Sequence, residues 1–156
     1  MKGFVFCGIL VALLSSAPFA HASEWDQLDN VPLFDLGPNH PSLVLYAEIR
    51  CAALNTNSYW LSTASGKEAE KNIDKFRIGL FNSLISVHPL RAKLGSRATA
   101  VEHRLMAMYY DRWEAHAKKD GGFFDPVTIS DFKVCNYLVG EKYAELYEFG
   151  HALRND

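Results

Sequence analysis

The chain has 156 residues, about half of them hydrophobic and 22% charged, with a formal net charge of −2. That length allows one domain with a real core, and the apolar share excludes a disordered polymer. Near-neutral charge argues against a protein that binds nucleic acid by neutralising phosphates.

Met1 and Lys2 precede the apolar stretch GFVFCGILVALL, and SSAPFAHA follows with the small-residue pair Ala20 and Ala22. A positive start, a short apolar core and an Ala-x-Ala end make residues 1–22 a secretory signal peptide, cut before Ser23. The apolar run is short of the roughly 20 residues a bilayer span needs, which counts against an uncleaved anchor. No later segment reads as a span, so no stable membrane span is expected after cleavage. The remaining chain has no Asn-x-Ser/Thr sequence, which fits a bacterial periplasm. Localisation is therefore read as periplasmic or secreted.

Residues 23–40, SEWDQLDNVPLFDLGPNH, mix Trp25, Leu28, Val31, Leu33, Phe34 and Leu36 with Asp, Pro and Gly. Too many apolar side chains sit there for a free tail, so the segment reads as an irregular arm laid on the domain. The domain itself is expected over residues 41–156. Four helix-period stretches follow one another, and no strand-period segment competes with them. In the first, Val44, Ala47, Cys51, Leu54, Ser58 and Leu61 form one face, with Pro41 in the first turn and Gly66 as the stop. The second places Ala69, Ile73, Phe76, Leu80, Leu84 and Val87 inward and ends before Pro89. Ser96 caps the third, which buries Ala98, Val101, Leu105 and Met108 and breaks at Gly121 and Gly122. The fourth starts from a Thr128 or Ser130 cap and buries Phe132, Cys135, Val139, Tyr143, Leu146 and Phe149. The expectation is an all-α, antiparallel four-helix bundle with an irregular N-terminal arm.

Cys7 leaves with the signal, so Cys51 and Cys135 remain as a pair in an exported chain. They are expected to form a disulfide joining the first and fourth long helices. A two-cysteine metal site is disfavoured because it needs further ligands and no His lies within four residues of either cysteine. The loop so closed is worth about 4.5 kcal/mol in chain entropy.

Charge is unevenly spread. Residues 67–119 carry eleven Lys or Arg against six Asp or Glu, while residues 23–66 carry one against five and residues 120–156 three against seven. Within the basic middle, the turn HPLRAKLGSR gathers Arg91, Lys93 and Arg97 beside His88, at what reads as a helix start. Free backbone N–H groups and arginines can hold an anion or an acidic patch there.

Catalytic and cofactor signatures are sparse. There is no Gly-x-Ser-x-Gly elbow, no phosphate loop and no Cys-x-x-Cys-His. Glu148 and His151 make a single Glu-x-x-His where a di-iron bundle needs two, even if Glu102 or Glu145 were recruited. Met106 or Met108 with His103 on an apolar stripe reads as core rather than as haem ligands. No metal, cofactor or catalytic residue is expected.

Aromatic residues carry more weight. Tyr110 and Trp113 on the third helix, with Phe123 and Phe124 in the DGGFFDPV turn, are candidates for a partner-binding face. Gly79 and Gly140, inside helices, suggest close packing or the approach of a ligand. The first functional expectation is a binding protein of immunity or inhibitor type that engages another periplasmic protein. A carrier of a small ligand in the bundle interior is the second, and an enzyme the third.

Overall fold

Helix breaks lie where backbone chemistry demands them. The computed structural model describes residues 25–36, 41–120 and 124–155, with side chains over 25–36, 43–119 and 124–141. The expected signal peptide, Gly121, Gly122 and Phe123 lie outside these residues, as do the side chains of Tyr143, Glu145, Glu148 and His151. Six helices occur among the described residues and no strand does: α1 (Leu33–Leu36), α2 (Pro41–Ala64), α3 (Glu68–Val87), α4 (Arg91–Leu94), α5 (Arg97–Asp120) and α6 (Pro126–Asn155). No helix among them is long and apolar enough to cross a membrane.

Helix α2 ends at Gly66, whose φ of 69° takes the left-handed conformation that only glycine adopts without strain. Lys67 N–H then reaches back to the Ser62 carbonyl at 2.9 Å and Gly66 N–H to that of Thr63 at 3.3 Å, a Schellman closure. Glu68 and Glu70 open α3 at the positive end of its dipole, and His88 closes it ahead of Pro89. Gly95, at φ 55°, ends α4.

The start of α6 differs from the expected Thr128 or Ser130 cap. Asp125 caps it, its Oδ1 accepting the Val127 N–H at 3.0 Å, with Pro126 as the first helical residue. An Asp followed by Pro suits these two positions better, since Pro lacks the N–H that a first turn leaves unpaired. Thr128 instead points inward and donates its hydroxyl to Asp125 Oδ2 at 2.5 Å.

Contacts converge on α2, which packs on α3, α5 and α6, while α1 lies on α6. The single inward face expected for the first long helix is therefore too narrow: every residue from Leu45 to Asn55 except Ala47 is buried. A helix contacted on several sides buries its whole circumference. Helix α3 departs the other way. Asp74, Leu80, Phe81 and Ile85 are buried, while the expected inward residues Ile73, Phe76 and Val87 are exposed. Its main neighbour is α2, so only one narrow stripe can be covered. Helix α5 follows its expected stripe through Ala98, Val101 and Leu105, with Tyr109 rather than Met108 as the last buried residue.

Cys51 and Cys135 form the disulfide, joining α2 to α6 across a sequence separation of 84. Gly79 and Gly140 do not serve close packing: a Cβ built on either meets nothing within 4 Å.

Candidate functional site

Two polar and aromatic assemblies occupy opposite halves of α2. The first surrounds Arg50, which is completely buried. Its Nη2 and Nε donate to Asp131 Oδ2 at 2.6 and 2.9 Å. Nε also donates to the Tyr109 hydroxyl at 3.0 Å, and Nη1 to the carbonyls of Leu28 and Val31 at 3.0 and 2.9 Å. Asp131, equally buried, accepts the Tyr109 hydroxyl on Oδ2 at 2.6 Å and the Leu33 N–H on Oδ1 at 2.8 Å. Burial alone would favour neutral Arg50, but Tyr109 and Asp131 outweigh it and hold the guanidinium charged. Burial likewise pushes the Tyr109 and Tyr46 hydroxyls well above the usual tyrosine range.

This network pins the N-terminal arm. Tyr46 donates to Asp29 Oδ1 at 2.9 Å, and Arg104 grips Asp29 through Nε and Nη2 and also meets Asp26. Trp25 is buried against the Tyr46 ring, their centroids 5.4 Å apart. Every polar group around Arg50 points at protein, which leaves the cluster architectural rather than chemical.

The second assembly is an open groove at the C-terminal half of α2, made of two adjoining recesses of about 300 and 430 Å³. Both are bordered by Ser58, Leu61, Ala64, Trp113 and Phe124. Trp60 and Tyr110 stand at the aromatic end, 60% and 51% exposed. Tyr110 and Trp113 pack edge to face at 5.7 Å, and Phe124 packs on Phe132 at 5.1 Å. The Trp113 Nε1–H is buried and has no acceptor among the described residues.

Asp74 lies at the other end. It is only 3% exposed, and its Oδ2 accepts the Ser58 hydroxyl at 2.7 Å and that of Ser62 at 3.4 Å. Oδ1 meets Arg77 Nη1 at 3.7 Å, an ion-pair distance longer than a hydrogen bond. Burial raises the carboxyl above its ordinary value; the Ser58 hydroxyl and Arg77 pull the other way and do not cancel it. Lys67 and Glu70 complete the polar rim.

Of the aromatic residues singled out in the sequence, Tyr110, Trp113 and Phe124 come together in this groove, while Phe123 lies outside the described residues. The basic turn is not part of it and sits at the far ends of α3 and α5. Arg91 there closes its own turn by donating to the Gly95 carbonyl at 2.5 Å, and Lys93 and Arg97 are exposed. His88 Nδ1 accepts the Leu90 N–H at 3.2 Å, and burial lowers its pKa. His103 faces solvent.

Sequence reasoning passed over Arg50, Asp131, Asp74 and Trp60. A signal existed for the first two. Arg50 is the only Lys or Arg between residues 23 and 66, and it adjoins Cys51. Asp131 lies one helical turn before Cys135, so any bridge between the cysteines brings the two charges within reach. Asp74 reads as one more charge on a polar stretch, and its burial follows from the rotation of α3. Among the described residues no group of three or more His, Cys, Asp or Glu is placed to hold a metal ion. No protein-family model, no curated protein and no solved structure matches the chain.

Proposed function

We propose that this chain is an exported protein, placed in the periplasm by its N-terminal signal peptide, that binds another protein through the α2–α3–α5 groove in the manner of an immunity protein or inhibitor. The observation that carries the reading is the exposure of Trp60 and Tyr110 beside a half-buried Trp113. Trp and Tyr are enriched at the centres of protein interfaces, and leaving them in water costs a monomer solubility with no gain in stability. The disulfide is consistent with an oxidising compartment. The scaffold in this reading is an antiparallel bundle of α2, α3, α5 and α6, a geometry that their short connections favour.

The test is site-specific photo-crosslinking in the exported protein in its own host. A crosslinking residue at Trp60 or Tyr110 should give a discrete heavier species, identified by mass spectrometry. The same residue at exposed Tyr137, on α6, is the control. Adducts at Tyr137 alone, or the same diffuse background at all three sites, would remove the groove as the interface.

A further inference from the structure

We propose that the groove takes a lysine or arginine side chain of the partner protein, its cationic head against the Asp74 carboxylate and its apolar stem along Trp113 and Phe124, while Trp60 receives apolar residues of the same segment. This inference rests on the partner-binding reading above and names what that face recognises.

Four observations converge. First, Asp74 is a buried carboxylate whose charge is only partly compensated: two hydroxyls meet one oxygen, and Arg77, the one cation paired with it among the described residues, stands at 3.7 Å from the other. Such a group gains most from a second, desolvated cation. Second, Leu61, Ser62 and Ala64 bring the C-terminal turn of α2 into the same recess, and that turn holds no basic residue of its own. A helix C-terminus carries partial negative charge and favours a cation. Glu70 adds a negative rim, while the opposing Lys67 is exposed to water. Third, Trp113 and Phe124 border the same recess, and an ammonium or guanidinium group is attracted to aromatic faces, while long aliphatic stems pack along such rings. Fourth, the unpartnered Trp113 Nε1–H offers a donor that a main-chain carbonyl of the incoming segment would satisfy.

A protein supplies this cation better than a free ammonium compound does. The recesses are open rather than enclosed, and exposed Ile73 and Trp60 border them on α3 and α2, so an extended segment can cover both where a free ammonium compound covers only one. A deep anchor inside an exposed apolar rim is the arrangement of an interface hot spot.

The test is selection of random linear peptides on the mature chain, followed by affinity measurement on the selected peptides. The expected peptides contain a Lys or Arg beside apolar residues. Replacing that Lys by norleucine, or that Arg by citrulline, weakens binding by about thirtyfold or more, the usual loss for one partner of a desolvated charge pair. Asp74→Asn produces a similar loss, and combining the two changes adds little. Trp60→Ala also weakens the same peptides. Peptides lost on Trp60→Ala but indifferent to Asp74→Asn and to the neutral replacement leave the groove as an interface and overturn the cation anchor. Peptides indifferent to all three changes, or a selection yielding no binder, overturn both. Arg77→Gln is the second variant if Asp74→Asn disturbs folding: removing the competing guanidinium should tighten basic peptides, and weaker binding would refute the proposal.

Discussion

The two halves of α2 solve the problem of buried polarity in opposite ways. Around Arg50 the charge is enclosed and answered by Asp131, two tyrosines and three backbone groups of the arm. At the other half Asp74 is enclosed but loosely paired, and Trp113 keeps a donor with no acceptor among the described residues. Tyr109 belongs to both, its hydroxyl in the Arg50 network and its ring bordering the groove. A saturated polar cluster gives one rigid arrangement, whereas an unsaturated one beside exposed aromatics retains capacity for a partner.

Breaking the closed half should give the largest effect. Asp131→Ala leaves Arg50 buried without its counter-charge and should cost about 3–5 kcal/mol in urea denaturation. Replacing the pair together, Arg50→Met with Asp131→Leu, should recover most of that loss. A double variant as unstable as the single one would show that the arm contacts, not the ion pair, carry the cost. Cys51→Ser should be comparable, at about 4 kcal/mol or somewhat less. Because Cys51 adjoins Arg50 and Cys135 lies one turn from Asp131, the two losses should not add.

The open half should respond differently. Trp60→Ala and Tyr110→Ala should change stability by no more than about 0.5–1 kcal/mol, since both side chains are mostly in water. The same substitutions should weaken binding to whatever protein crosslinks at Trp60 by about 2 kcal/mol. A large stability loss with unchanged binding would reverse the contrast between the halves.

The cap of α6 gives a smaller effect with a definite pH sign. Burial alone would raise the Asp125 carboxyl, but the Thr128 hydroxyl, the Val127 N–H and Arg112 together hold it below its ordinary value of 3.8. Its contribution is therefore complete above the ordinary carboxylate range and is lost as the pH falls through the lower folded-state value. Asp125→Ala should cost about 1 kcal/mol at neutral pH and flatten that part of the acid limb of stability against pH. Asp74 has the opposite sign. Its raised carboxyl favours folding as the pH falls, so Asp74→Asn should remove a penalty that grows toward neutral pH. Smallest of all, Gly79→Ala should stabilise by about 0.5–1 kcal/mol, because α3 leaves open space there.

The sequence itself settled the local chemistry. Pro41, Gly66, Pro89 and the apolar periods placed the long helices to within a few residues of where they stand, and the two cysteines left after the expected signal peptide were enough to expect the bridge. These signals are local or pairwise, so they survive without knowledge of the fold. Tyr110, Trp113 and Phe124 were legible as a possible face because large aromatics in short proximity are few. Which stripe of α3 is buried was not legible. Ile73 and Phe76 carry the stronger apolar pattern, yet Asp74 and Phe81 face α2, because a helix with one main neighbour turns whichever side the packing of that neighbour admits. Tertiary structure alone decided that α2 is covered along both flanks, that Arg50 and Asp131 meet, and that Trp60 joins residues more than fifty positions away in one groove. Burial and long-range pairing depend on what surrounds a side chain, and periodicity along one helix carries no record of its neighbours.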